Sequence, residues 1–238
     1  MESQPLFGKK IAVPETREID VFAAMLERRG ASVLRCPMVA IVDAPDPVPV
    51  LQWCREFAGG SCDDLILLTG EGLRRLLSCI DQHEPALREP FVARLGAVRK
   101  ITRGPKPARA LRELGLKPDI AAEVPTTDGV IASLEAHDLK GRRVGVQLYG
   151  TEPNLALADF LRTAGASVLT VAPYVYADAA NDRAVQELVE HLLAGRVDAI
   201  AFTSTPQVER LFAVAGPDRA KAALSRTVVA AVGPVVAE

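Results

Sequence analysis

A chain of 238 residues, 49% hydrophobic and 24% charged, has the make-up of an ordinary globular protein and the length for one large domain or two small ones. A formal net charge of −2 and an aromatic content of 5% give no basic or stacking footprint for nucleic acid or an anionic membrane. An anionic ligand would therefore need a local basic site.

The opening Met-Glu-Ser-Gln-Pro has no charged stretch followed by an apolar one, so no signal peptide is expected. The longest weakly polar run, residues 227–237, is too short to span a bilayer and contains Pro234. Four cysteines, Cys36, Cys54, Cys62 and Cys79, form no C-x-x-C pair and fit free thiols in a reducing cytoplasm. A cytoplasmic location is the expectation.

In chain order, residues 10–13 form a short apolar strand that ends in Pro14-Glu15-Thr16-Arg17. Ile19, Phe22, Met25 and Leu26 then recur at helical spacing, which predicts a helix burying that face. Residues 32–35 are a second strand, followed by the proline-bearing segment 37–47. Residues 65–68 are a third, ending at Thr69-Gly70-Glu71-Gly72 and a helix. On that helix Cys79 and His83, four apart, could offer two metal ligands, but no second pair completes a coordination shell. No metal is expected. Residues 98–102 form a fourth strand ending in Arg103-Gly104-Pro105-Lys106. A helix over 106–114, a strand around 118–122 and a helix to about Leu134 should follow.

From Arg142 the chain repeats itself. Gly30-Ala31-Ser32-Val33-Leu34 returns 135 residues later as Gly165-Ala166-Ser167-Val168-Leu169. The DDLILLTGEGLRRLL block returns as DAIAFTSTPQVERLF, with Asp198 lying 134 residues after Asp64, and ITRGP returns as AAVGP, with Gly233 lying 129 after Gly104. Val185, Leu188, Val189, Leu192 and Leu193 line a helix of the second copy. Three blocks in one order at nearly constant spacing point to an internal duplication. Strands alternating with helices of this length imply α/β units with parallel sheets covered on both faces.

The copies could follow one another as separate units. Alternatively, residues 37–47 and 173–182 could serve as paired connectors. The second arrangement places 1–37 with 174–238 in one domain and 40–171 in the other, with the carboxyl ends of both sheets facing one cleft. Since only five residues follow Gly233, the last domain is expected to lack the closing helix and strand of its counterpart.

In open parallel sheets ligands bind beyond the carboxyl ends of the strands, where helix starts present free N–H groups that favour carboxylates. The residues expected there are Thr16, Arg17, Thr69, Arg103, Gly104, Lys106, Tyr149, Thr203, Ser204 and Gly233. Thr151 and Ser204 also fit plain helix N-caps, and Pro105, Pro153, Pro206 and Pro234 suit first helical turns. Arg17, Arg103 and Lys106 are singular as cations at strand-end turns. There is no G-x-x-x-x-G-K-[ST] loop and no G-x-S-x-G elbow, and Arg75 stands where a dinucleotide fingerprint needs its third glycine. His83, His137 and His191 fall in helices or at their ends, which disfavours a serine–histidine or metal hydrolase.

Taken together, the opening strand with its T-R-E turn, D-D-L-I-L-L-T before a helix, G-P before A-R-A-L-R-E-L-G-L, Val124-Pro125-Thr126-Thr127, the G-A-S-V strand and Phe202-Thr203-Ser204 resemble the uroporphyrinogen-III synthase family along essentially the whole chain. The R-G-P-K-P and V-Q-L-Y-G wording resembles a subgroup that includes regulator-fused members. The resemblance implies two flavodoxin-like domains joined by a two-stranded linker. It also implies a cofactor-free, cyclising hydro-lyase that acts as a monomer on the linear tetrapyrrole hydroxymethylbilane, with no nucleic acid or membrane partner. Tyr174, in Ala172-Pro173-Tyr174, is similar to a linker tyrosine of the family and is implied to be the acid that helps water leave. Pro107 and Val235 depart from the pattern, since many family members carry threonine there. A family member that binds a tetrapyrrole without turnover is the alternative. A two-lobed binding protein of the periplasmic type shares the architecture, but the expectation of no signal peptide argues against it.

Overall fold

The structure is a computed structural model and describes residues 4–16, 18–178 and 182–237. Arg17 therefore lies outside the described residues. The elements in chain order are β1 (Lys10–Val13), α1 (Ile19–Glu27), β2 (Ser32–Arg35), β3 (Val39–Asp43), α2 (Pro47–Ala58), β4 (Asp64–Leu67) and α3 (Gly70–His83). A 3-10 turn at Pro85–Leu87 leads to α4 (Arg88–Ala97), β5 (Arg99–Thr102), α5 (Pro105–Arg112), β6 (Ile120–Ala121), α6 (Thr127–Leu134), β7 (Arg143–Gln147), α7 (Leu155–Thr163) and β8 (Ser167–Val171). Then come β9 (Tyr174–Asp178), α8 (Asp182–Leu193), β10 (Ala199–Phe202), α9 (Thr205–Ala215), α10 (Pro217–Leu224), β11 (Val228–Ala231) and α11 (Pro234–Ala237).

The chain forms two compact units, residues 1–41 with 176–238, and residues 42–175. The first contains a sheet in the order β11-β10-β1-β2, the second a sheet in the order β6-β5-β4-β7-β8. The neighbouring strands of both sheets run parallel to one another. The expected α/β class with parallel sheets is what the structure has. The strands β3 and β9, which carry the chain from one unit to the other, pair as a two-stranded sheet.

The central strands β1 and β4 are buried on both faces, which is why they read as unbroken apolar runs and not as alternating ones. In the 42–175 unit, Leu65 and Leu67 of β4 face a core built with Trp53, Phe57, Leu76 and Phe91, in which Trp53 and Phe57 stack with centroids 5.2 Å apart. Ile66 and Leu68 face the opposite core, with Val130, Leu134, Leu157 and Leu161 of α6 and α7. The other unit divides in the same way. Ala12 joins Val185, Leu188, Val189 and Leu192 of α8. Ile11 and Val13 lie with Ile19, Phe22 and Leu26 of α1.

Two local expectations need correction. Met25 is 40% exposed, and Ala23 is the buried residue of α1; Ile19, Phe22 and Leu26 are only half-buried. The helix therefore rests on the sheet through a small side chain and flanking large ones, and Met25 falls off that stripe. Pro153 does not occupy a first helical turn, and Thr151 does not cap a helix. The start of α7 is set by Asn154, a left-handed residue (φ 49°) whose carbonyl accepts from Ala158 N. Asparagine tolerates that conformation, and its buried amide donates to Thr127 Oγ1 at 3.1 Å.

At the amino ends of β4, β5 and β7 a charged network fixes the strand starts. Asp64, 1% exposed, accepts from Arg99 Nε at 2.6 Å and from Arg142 Nη2 at 2.7 Å. Neighbouring Asp63 takes Arg143 Nη2 at 2.6 Å. This cluster belongs to the structural end of the sheet, opposite the strand ends where ligands are expected.

Candidate functional site

At the carboxyl end of β4, Thr69 caps α3: its Oγ1 accepts from Gly72 N at 3.0 Å. The same hydroxyl lies 3.3 Å from the Tyr174 phenol. Thr69 and Tyr174 are thus brought together, with Tyr174 fully enclosed. Beneath them is a residue that sequence reasoning passed over. Gln147, the last residue of β7 and fully buried, accepts the Thr69 backbone N–H at 3.1 Å through Oε1. Its Nε2 donates to Thr69 Oγ1 at 3.3 Å and to Leu148 O.

Gly70 and Gly72 have a physical reason here that has nothing to do with nucleotides. A methyl group added at Gly72 would meet the Gln147 carboxamide at 1.9 Å, and one at Gly70 would meet Lys106 O at 2.5 Å. The first glycine lets α3 and α5 begin side by side, and the second makes room for the glutamine.

At the neighbouring strand ends of the same unit, the Arg103 guanidinium sits 5.0 Å from the centroid of the Tyr149 ring, in cation–π range. The Arg103 backbone N–H donates to Leu67 O at 3.1 Å. Gly104 passes so near Pro125 that a methyl group there would meet Pro125 Cβ at 2.9 Å. Lys106 is exposed in the first turn of α5, where Pro105 and Pro107 supply no N–H.

In the other unit, Thr203 follows β10 with the same chemistry. Its N–H donates to Gln207 Oε1 at 2.9 Å, and Gln207 Nε2 donates back to Thr203 Oγ1 at 2.9 Å. Gln207 is 1% exposed. The Thr203 hydroxyl donates to Glu15 Oε2. Glu15 Oε1 accepts the Thr16 N–H at 2.8 Å, and the Thr16 hydroxyl donates to Val39 O. Glu15 therefore joins Thr16 and Thr203. Ser204 holds the N-cap position of α9 in extended backbone and makes no side-chain cap bond. Gly233 leads into α11, and its carbonyl accepts from Val236 N at 3.1 Å. A signal for the glutamines exists in the sequence: a carboxamide within an apolar parallel strand, or four residues after a strand-end threonine, has to satisfy its hydrogen bonds inside.

Among the described residues no cluster of three or more His, Cys, Asp or Glu could hold a metal ion. Cys36, Cys54, Cys62 and Cys79 are all free and buried. Burial pushes the Cys54 thiol up to about 12, and burial with Glu187 pushes Cys36 to about 11, so these are poor nucleophiles. A cavity of about 260 Å³ in the 42–175 unit is bounded by Asp43, Pro47, Val50, Cys79 and His83, and none of the expected site residues lines it. No helix of the described residues is long and apolar enough to cross a membrane.

Residues 20–238 match the family model described as "Uroporphyrinogen-III synthase HemD". The Bacillus subtilis (strain 168) protein called "Uncharacterized protein YjjA" is 34% identical over 98% of this chain and 86% of its own length. A mutant uroporphyrinogen III synthase from the extremely thermophilic bacterium Thermus thermophilus is similar in structure, with a TM-score of 0.74 and 30% identity over 97% of this chain and 87% of that one. The wild-type Thermus protein in a second crystal form gives a TM-score of 0.60 and 32% identity over 97% and 86% of the two chains. With a family model matched from Asp20 to the last residue, and parallel-sheet units to go with it, the chain belongs to the uroporphyrinogen-III synthase family.

Proposed function

We propose that the protein cyclises hydroxymethylbilane to uroporphyrinogen III, inverting the last pyrrole ring and releasing water. The observation that carries the reading is the Tyr174–Thr69 contact of 3.3 Å at the carboxyl end of β4, in a chain of this family. The bond between the terminal carbon and its hydroxyl breaks as the Tyr174 phenol gives that oxygen a proton, so the leaving group is water. The substituted α-carbon of the last pyrrole ring captures the cationic terminus to give a spirocyclic intermediate, and the bond from that carbon to its original bridge breaks. The freed bridge carbon bonds to the ring's other α-carbon, and the proton lost there returns to the Tyr174 phenolate. No external oxidant or reductant is needed. The protein contributes positioning and proton transfer. Thr16, Arg17, Thr69, Arg103, Gly104, Lys106, Tyr149, Thr203, Ser204 and Gly233 are proposed to bind the substrate's carboxylates, through backbone N–H groups, hydroxyls and cations.

A second reading, tetrapyrrole binding without turnover, is favoured by two observations. Pro107 stands where a family hydroxyl would be, and the Tyr174 side chain is fully enclosed. Incubating the protein with hydroxymethylbilane and resolving the isomers decides between them. Type III product supports synthesis. Type I at the spontaneous rate together with tetrapyrrole binding supports the second reading. Under the first, Tyr174→Phe should slow turnover by roughly the 10²-fold typical of losing a positioned acid, while leaving the isomer preference largely intact.

A further inference from the structure

The Thr69 hydroxyl has two lone pairs and one proton, and its neighbours account for all three. Gly72 N–H and the Gln147 carboxamide N–H both point at Thr69 Oγ1, at 3.0 and 3.3 Å, and occupy the acceptor positions. The carboxamide cannot be the other way round, because the Thr69 backbone N–H needs the acceptor it finds in Gln147 Oε1 at 3.1 Å. Only the hydroxyl proton is left for the remaining neighbours. Gln147 Oε1 already accepts a bond and lies 3.5 Å away, at the limit of a hydrogen bond, whereas Tyr174 Oη lies at 3.3 Å.

We infer that Gln147 is a positioning residue: it forces the Thr69 hydroxyl to donate to Tyr174, so that the phenol accepts from Thr69 and directs its own proton to a different partner. The inference deepens the proposed function and rests on it for the identity of that partner, the leaving hydroxyl. A phenol that receives a hydrogen bond is a better acid, because the bond stabilises the phenolate it becomes. The space for the device is set by Gly72, whose missing side chain is where the carboxamide lies. The other unit builds the same polarity from different elements. Gln207, on α9 and not on a strand, holds Thr203 by the same two bonds, and that hydroxyl also donates outward, to Glu15. Two glutamines from unlike positions impose one hydrogen-bond direction on threonines 134 residues apart in the chain.

The test is the Cζ resonance of ring-labelled Tyr174 in the whole protein, assigned by its loss in Tyr174→Phe, together with kcat and KM. Gln147→Met keeps the bulk and removes both amide functions, Thr69→Val removes the hydroxyl, and Thr69→Ser keeps it. The Cζ resonance should move in the same direction in Gln147→Met and Thr69→Val and return in Thr69→Ser. In the same two variants kcat should fall by roughly ten- to a hundredfold, the scale of a weakened general acid, and in Gln147→Met KM should be little changed. A purely structural glutamine would lower the melting temperature and leave the Tyr174 resonance and the kcat of folded enzyme where they were, which would overturn the inference. If Gln147→Met does not fold, the Thr69→Val and Thr69→Ser pair decides. If the unaltered protein makes no type III product, the proposed function fails, while the resonance still reports whether the polarity is as inferred.

Discussion

Asp64 shows what a single buried charge demands. Burial by itself would raise its pKa, but hydrogen bonds from Arg142 and Arg99 outweigh that, and the net shift is downward. The folded value lies below the unfolded one, so the stabilisation is fully present above about pH 4 and is lost as the pH falls through the folded value. Asp63, held at about 2 by Arg143, acts in the same sense and window. Acid titration of folding should therefore show proton uptake on unfolding between about pH 4 and 2. Replacing both Arg99 and Arg142 with alanine leaves the 1%-exposed Asp64 unpaired. It should cost about 3–5 kcal/mol in urea unfolding at neutral pH. A loss no greater than that of an exposed ion pair would show that the carboxylate is hydrated after all.

At the scale of the element, α3 is set by its first turn. Thr69 caps it, Gly70 admits α5, and Gly72 admits Gln147. Glycine to alanine inside an exposed helix gains about 1 kcal/mol of propensity. At Gly72 the 1.9 Å collision with a buried amide should reverse that sign, giving a net loss of about 1–3 kcal/mol. Thermal denaturation of Gly72→Ala checks it, and a raised melting temperature would mean that Gln147 swings aside at no cost. Strands were legible because burial on both faces leaves a short apolar run between breakers. β1 and β2 fall on the expected residues, and β4 and β5 lie within one residue of them. The inward face of α1 was less legible. Periodicity reports which residues share a stripe, whereas the docking angle of the helix decides that Ala23 and not Met25 meets the sheet.

For the whole molecule, the apolar clusters on both faces of the five-stranded sheet are built from residues of the contiguous stretch 42–175. A fragment spanning 42–175 should fold alone, with the amide dispersion and cooperative denaturation of a native domain. A molten fragment would show that its core depends on the rest of the chain. Of the candidate site, Thr69, Thr203, Arg103 and Tyr149 could be placed in advance, since strand ends can be read from breakers. The bonds of Gln147 could not, because a carboxamide's role depends on which backbone N–H it meets and Gln147 lies 78 residues from Thr69, whereas Gln207 meets a threonine only four residues away.

The sequence by itself determined the α/β class, the positions of most strands and helix starts, and the family. These rest on local patterns, namely apolar runs, breakers and recurring motifs, whose physics acts over a few residues. Only the tertiary structure decided that β10 lies beside β1, with Ala199 opposite Ile11, that Glu15 meets Thr203, and that Gln147 holds Thr69 against Tyr174. Those contacts join residues distant in the chain, and their hydrogen-bond directions follow from counting donors and acceptors in space, which no local pattern encodes.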